Sequence, residues 1–565
     1  MTEKAFECDA DQVDEMIGTR VGTIEPFAVW KEASIRVNLP NCKQSCLCDR
    51  DIFYHWDRLP LFEPDPIHVK ANCAHNVYLS LHKRYLKTTP EVRRDKIDFS
   101  LLNRIINHLA AEIEKNIAPF DGEQFLQNKT GRLKRRYYAA YQQMLRDGVD
   151  LAGISKISAF VKTERYFETG KAPRMIMGRD PAFTLLYSQI VQPIEEAFFQ
   201  LPQVANACDP VECGERFSKL VGEWFIENDM SKFEASQQLF TLAMEYAVYS
   251  KLVQDRELLD KLFVTKLHKN GSTGSGVSFK FLFCRGSGDA DTSVGNGILN
   301  YIASMYFQCV NTCSPSCMLS DCDLPGCHAE DFTLKGDDSY MQYPRGKTDY
   351  INTYQYFGFD AKIILRKTPE EVEFCSGHFV EYQAGKYLYV QKLRKLLQSI
   401  QSCINLDAIR NGWVGHYYKS LGLMYNVLYS GLPVYEDIGK FLMAVDVPFG
   451  LRKELVISYN LNQLFSNSKD KTKVRQVNRS LAAVSISLVN DLSFAELERL
   501  GSFLRTHVVH IPAAQKKRCN AGKVKITVDR LDFDLLNDQV KANRISPGDR
   551  KILQQLRNFS KHVRG

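Results

Sequence analysis

The sequence predicts an α+β fold, and three observations predict it. Runs of aromatic, β-branched and large apolar residues, Trp224-Phe-Ile226, Phe332-Thr-Leu334 and Tyr340-Met-Gln-Tyr343, have strand character and stand next to acidic residues. Apolar residues recur at helical spacing over Leu101, Leu102, Ile105, Ile106, Leu109 and Ile113, and again through residues 397–465 and 480–505. The 565 residues are 44% hydrophobic and 25% charged, globular proportions that exclude a mainly disordered, collagen-like or low-complexity chain. At roughly 100–200 residues per domain, the length allows about three to five domain-sized units.

No apolar run reaches the roughly 18 residues of a membrane-spanning helix. The start, Met1-Thr-Glu-Lys-Ala-Phe-Glu, lacks a signal-peptide pattern, so an intracellular chain is expected, with its sixteen cysteines mostly reduced. Net charge is +7, but residues 516–565 hold thirteen Lys or Arg against five Asp, and the remainder is close to neutral. In that tail Ser546-Pro-Gly-Asp549 reads as a turn or helix start. Ile552, Leu553, Leu556 and Phe559 then line one side of a basic helix, suited to RNA phosphate or an anionic membrane, and equally to packing on a helical domain.

Taken in order, the elements are these. A basic run, Lys129-Thr-Gly-Arg132-Leu-Lys134-Arg135-Arg136, precedes Tyr137, Tyr138 and Tyr141. Trp224 to Asp229 reads as a buried strand ending in an acid. Met230 to Gln237 is expected to open a helix with Phe233, Phe240, Leu242, Ala243 and Tyr246 on its apolar face. Arg285-Gly-Ser-Gly-Asp289 is a flexible loop leading to a helix capped by Asp291, Thr292 or Ser293. Thr292 and Asn296, four apart, share a face that suits hydrogen bonding to a sugar hydroxyl. Lys335-Gly-Asp337-Asp338-Ser339 reads as a tight hairpin presenting two adjacent carboxylates. Side by side they repel unless a cation neutralises them, and hard divalent ions suit carboxylate oxygens. With Asp229 they form a set suited to a two-metal clamp for phosphoryl or nucleotidyl transfer.

Two cysteine clusters stand out. Cys313, Cys317, Cys322, Cys327 and His328 suit a structural Zn²⁺, although their spacing is not that of paired CxxC ligands, and a loop of reduced thiols is the alternative. Cys42, Cys46 and Cys48, with His55, Cys73 or His75, are a second candidate set.

The order of these segments resembles the palm motifs of RNA-directed RNA polymerases of positive-strand RNA viruses. Asp229-Met-Ser-Lys-Phe-Glu-Ala-Ser-Gln237 resembles motif A, Ser287-Gly-Asp-x-x-Thr-Ser-x-Gly-Asn296 motif B, and Gly336-Asp337-Asp338 motif C. Phe357-Gly-Phe359-Asp-Ala-Lys362 resembles motif D and Glu373-Phe-Cys375-Ser motif E. Upstream, Phe160-Val-Lys162-Thr-Glu-Arg165 with Lys171-Ala-Pro173-Arg174 and Arg179-Asp-Pro181 is similar to motif F and nearest to tombusvirus-like enzymes. The ending of motif A is more like that of the alphavirus-like group. The resemblance covers about residues 128–395.

This resemblance implies a right-hand polymerase of fingers, palm and thumb, with an RRM-like antiparallel palm sheet and a mostly helical thumb. The expected divisions are 1–127 as an extension bridging fingers and thumb, 128–222 and 251–284 as fingers, and 223–250 and 285–390 as palm. The thumb follows at 391–510 and the basic tail at 511–565. It further implies that Asp229 and Asp337, supported by Asp338, bind two Mg²⁺ or Mn²⁺ ions. Lys162, Arg165, Arg174 and Arg179 would neutralise the triphosphate, and Lys362, or failing it Lys367, would protonate the pyrophosphate. Ser287 and Gly288 would belong to the nucleotide-binding loop. One position departs: Glu234 stands where the family carries a second Asp, and ribose selection is expected through Glu234, Thr292 and Asn296. The implied partners are RNA template and product, NTPs and other viral replication proteins. The implied location is the host cytoplasm, in membrane-associated replication complexes, with attachment through partners or the C-terminal tail. No helicase or capping motif is present. A reverse transcriptase would share the palm, but Gly-Asp-Asp and the motif B sequence argue against it. A non-catalytic RNA-binding scaffold is disfavoured because all three acids are retained.

Overall fold

The computed structural model describes residues 33–37, 53–54, 67–86, 89–129, 131–167, 171–313, 330–405, 408–409, 412–445, 476–507, 531 and 533–562. Its centre is a four-stranded antiparallel sheet in the order Ala361–Arg366, Trp224–Met230, Asp338–Tyr343, Phe332–Lys335. Alternation along Trp224–Met230 sorts its side chains onto two faces. Ile226 and Met230 enter the largest core, whereas Phe225 joins an aromatic cluster with Phe217, Tyr340, Phe374 and Phe379 on the other side. Phe217 and Phe379 stack with centroids 3.9 Å apart.

The largest core is built by helices of the expected spacing. Phe99–Glu114 starts at Asp98, whose carboxylate accepts from the amides of Ser100 and Leu101, and it buries the seven apolar positions from Leu101 to Ile113. Pro181–Phe198 is capped by Asp180 with Pro181 in its first turn. Leu239–Leu252 and Thr292–Thr312 complete the packing under the sheet. A second, five-stranded sheet runs in the order Ala33–Val37, Val277–Leu282, His268–Thr273, Ile157–Val161, Met175–Arg179. Only the pairing of Ile157–Val161 with His268–Thr273 is parallel.

Downstream, the hairpin Gly377–Gln383/Lys386–Gln391 leads into a helical unit. Leu393–Gln401, Val414–Leu428, Tyr435–Met443, Arg479–Asn490 and Phe494–Thr506 share one core. The single periodic pattern over 480–505 is two helices bent by 105°, because Asp491 takes a left-handed φ of 52° that ends the first. Among the described residues no single helix is long and apolar enough to cross a membrane.

The C-terminal helix Pro547–His562 packs against Leu239–Leu252 and Arg256–Leu267, and Ile552, Leu553, Leu556 and Phe559 enter the main core. The expected packing on the downstream helical unit is corrected: the apolar face lies in the main core, against Leu239–Leu252 and Arg256–Leu267. Arg557 pairs with Asp260, and His268 Nε2 lies 2.6 Å from Asp549.

Candidate active site

The acidic centre lies at one end of the two central strands of the four-stranded sheet. Lys335 pairs with Asp338, leaving Gly336 and Asp337 as the two-residue turn of a hairpin. Gly336 has φ 65°, which a hairpin turn of this length requires and a side chain disfavours. Asn228 pairs with Ser339, so Asp229 and Asp338 face each other at the next position, and Lys362 pairs with Asp229 from the other side. Directly opposed residues leave the same face of a sheet. Asp229, Asp338 and Lys362 therefore share one face.

Burial first, and then the charge of Asp338 and Glu234, pushes the Asp337 carboxyl up to about 6. Burial and the charge of Asp229 raise Asp338 as well, while a hydrogen bond with the Cys375 thiol pulls it down. These carboxylates are crowded and undercompensated, the donor chemistry of a hard divalent cation. Their oxygens do not converge on one point: among the described residues no three His, Cys, Asp or Glu side chains are placed to hold an ion as they stand. Side-chain rotation has to complete such a site.

Beside the acids opens a cavity of about 740 Å³ lined by Arg84, Arg165, Lys171, Arg174, Asp338 and Lys395, among others. A larger one, about 970 Å³, lies between Phe120, Gln189, Leu258 and Phe533; it holds one carboxylate, Asp534, and no cation. The smaller cavity is the one with the chemistry. Its cations differ in availability. Arg174 is 59% exposed and 3.9 Å from Glu164, and its charge acts on both Asp337 and Asp338. Lys162 is not in the lining; it is partly exposed and pairs at 2.8 Å with Glu164, which is. Arg165 lines the cavity but donates to Ser402 Oγ at 2.9 Å and to the Ser399 carbonyl at 3.0 Å.

Arg179 is not with them. It is buried, 2.6 Å from Asp289, and donates to the carbonyls of Ser155, Lys266 and His268. It belongs to an interior cluster with Lys266, Lys269, Arg285, Glu245, Asp289 and Asp291. That cluster also corrects the expected cap: the Asp291 carboxylate pairs with Lys266 and Arg285 and makes no cap hydrogen bond to the helix it precedes.

The loop above this cluster is tied down. The Met177 amide donates to the Ser287 carbonyl at 2.7 Å. Gly288 has φ 127°, and a Cβ there would sit 2.8 Å from the Met177 carbonyl, so only glycine fits. The Thr292 hydroxyl lies 2.8 Å from the carbonyls of Gly286 and Asp289, and Asn296 Oδ1 accepts from Arg285 Nε at 3.0 Å. The helix expected to open at Met230 does not do so. Lys232 takes φ 54°, a 3₁₀ turn spans Phe233–Ser236, and the helix starts at Leu239 behind a Gln238/Thr241 cap.

Sequence reasoning missed Arg84, whose Nε is 2.6 Å from Glu234, and Lys395, which donates to Ser376 Oγ at 2.8 Å at the cavity wall. Neither lies in a motif; the only signal was their positive charge. Of the zinc set, Cys313 is half-buried, and Cys317, Cys322, Cys327 and His328 lie outside the described residues. Of the second set only Cys73 and His75 are described, and the Cys73 sulfur caps a helix by accepting from the Asn76 amide.

The site thus sets crowded carboxylates at the end of two central strands, beside a cavity lined by Arg84, Arg165, Lys171, Arg174 and Lys395. The comparisons give the class: a family model described as viral RNA dependent RNA polymerase matches residues 64–488, and the chain belongs to that family. It is 23% identical over 366 residues to the RNA-directed RNA polymerase of Groundnut rosette virus, covering 60% of this chain and 40% of that protein. To the enzyme of Oat chlorotic stunt virus it is 30% identical over 204 residues, 32% and 27% of the two chains. To that of Tomato bushy stunt virus it is 26% identical over 361 residues, 58% and 41%. The chain thus spans less than half the length of these relatives.

Proposed function

We propose that this chain is an RNA-directed RNA polymerase that copies a positive-strand viral genome, joining NTPs to a growing RNA 3′-hydroxyl. The observation that carries this reading is the meeting of Asp229 and Asp338 on one sheet face, with Asp337 in the adjoining turn, beside a cavity bearing Arg174. The sheet order, fourth–first–third–second by position in the chain, with the helices Leu239–Leu252 and Thr292–Thr312 packed together on one face, supports an RRM-like palm. The five-stranded sheet then belongs to the fingers and the helical unit after Gln391 to the thumb.

In this reading Asp229 and Asp337, supported by Asp338, hold two Mg²⁺ or Mn²⁺ ions. When bound, such ions activate the attacking hydroxyl and stabilise the leaving oxygen. Arg174 and Lys162, with Lys171 and Lys395 across the cavity, orient the triphosphate and offset the charge that builds on pyrophosphate. Arg179 acts one step back, by holding the loop that carries Ser287 and Gly288. Lys362, level with Asp229, is the acid for the departing pyrophosphate. Membrane attachment and the other replication functions are assigned to partner proteins in the host cytoplasm. Cys313 to His328 is kept as a zinc site, to be settled by elemental analysis of purified protein.

The test is nucleotide incorporation by the purified chain on an RNA template with Mg²⁺ or Mn²⁺. NTP incorporation that Asp337→Ala abolishes supports the reading. Preference for dNTPs would favour a reverse transcriptase, and no incorporation under any condition would favour a scaffold.

A further inference from the structure

Arg84 and Glu234 are 150 positions apart in the chain, yet Arg84 Nε lies 2.6 Å from Glu234 Oε1. Their side chains are 16% and 13% exposed, so the pair is shielded from water and weakly screened. Arg84 is held from behind. It sits in the short helical turn Leu81–Tyr85, where the Tyr85 hydroxyl donates to the Met175 carbonyl at 3.0 Å and lies 3.4 Å from Ser287 Oγ. The Cys284 thiol donates to the Tyr85 carbonyl at 3.2 Å. Arg84 is thereby fixed to the strand Met175–Arg179 and to the loop leading into Thr292–Thr312. It also lines the same cavity as Arg174 and Asp338.

Glu234 lies close enough to the acidic centre for its charge to act on Asp337. A glutamate carries one methylene more than an aspartate, and so one more torsion to order before its carboxylate can accept from a sugar hydroxyl. Arg84 removes that freedom. It engages Oε1 alone, and among the described residues nothing donates to Oε2. Arg84 also offsets a negative charge that would otherwise add to those of Asp337 and Asp338.

We propose that Arg84 is the positioning residue for ribose selection: it pins the Glu234 carboxylate so that Oε2 meets the 2′-hydroxyl of the incoming nucleoside triphosphate. The inference rests on the polymerase reading and adds a residue from outside the recognised motifs.

The experiment compares NTP with dNTP incorporation, as kcat and KM, for the full-length wild type, Arg84→Ala, Arg84→Lys, Glu234→Ala and the double variant. Arg84→Ala should lower the preference for NTP over dNTP roughly tenfold or more, mainly through a higher KM for NTP, with dNTP incorporation falling less. Arg84→Lys, which keeps the charge, should fall in between, and it carries the test if the alanine variant does not fold. The double variant should be no worse than Glu234→Ala, since the two groups act as one unit. If the Arg84 variants slow both nucleotides by the same factor, the pair is merely structural and the inference is wrong while the polymerase stands. If the wild type incorporates neither nucleotide, the polymerase reading itself falls.

Discussion

Arg179 Nε stands 2.6 Å from Asp289 Oδ1, with both side chains out of water, and Lys269 holds the other oxygen of the same carboxylate at 2.6 Å. One carboxylate thus serves two buried cations. Removing it leaves both uncompensated, which costs about 3–5 kcal/mol for a buried pair. Asp289→Ala should lower unfolding free energy by that amount in a urea titration. A loss under about 1 kcal/mol would mean that Arg179 and Lys269 find other partners and that the loop is anchored elsewhere.

The acidic centre was legible because its signals are local: Gly-Asp-Asp between two β-type runs specifies the hairpin, and the apolar run Trp224-Phe-Ile226 ahead of the acids places Asp229 at a strand end. Other features depend on contacts that no local pattern records. Arg174 and Arg179 lie in one basic run, yet the first is exposed and the second buried, since pairing with Asp289 is possible only after a fold across 110 positions. The start of the helix after Asp229 was misplaced because Leu239–Leu252 is buried almost all round. A helix without a polar face has no phase to read. Arg84 belongs to no motif, and only its meeting with Glu234 marks it.

Asp337 is a site where function and stability oppose each other. Burial and the neighbouring Asp338 raise its carboxyl to about 6, so ionising it at neutral pH works against the fold. Asp337→Asn removes that charge in nearly the same shape. It should leave stability unchanged or raise it by about 1 kcal/mol while lowering NTP incorporation about a thousandfold or more. Thermal unfolding without divalent ions and a single-nucleotide assay check the two halves. A large loss of stability would assign Asp337 a structural role.

Register decides between the two candidate acids. Lys362 pairs with Asp229. Lys367 lies five residues further along, with its Nζ 5.5 Å from the Trp224 ring centroid. At about 3.3 Å per residue that is roughly 16 Å from the carboxylates, beyond reach of a departing pyrophosphate. Lys362→Leu should therefore lower kcat about a hundredfold, with Lys367→Leu close to wild type. Equal losses in both variants would show that the strand contributes only general positive charge.

Glu195, within Pro181–Phe198, gives stability a pH dependence of its own. Burial first, then the charges of Asp291 and Glu196, push its carboxyl up to about 7, against the opposing charge of Lys129. The ordinary value is 4.5. Between the two values the folded chain holds a proton that the unfolded chain has released. The contribution is complete below about 4.5 and is lost as pH rises through 7. Glu195→Gln, neutral throughout, should unfold less readily than wild type at pH 8, by about 2–3 kcal/mol, and differ little from it at pH 4.5. Urea titrations of both proteins at the two pH values measure the difference. An equal gap at both would place the pH dependence on another group.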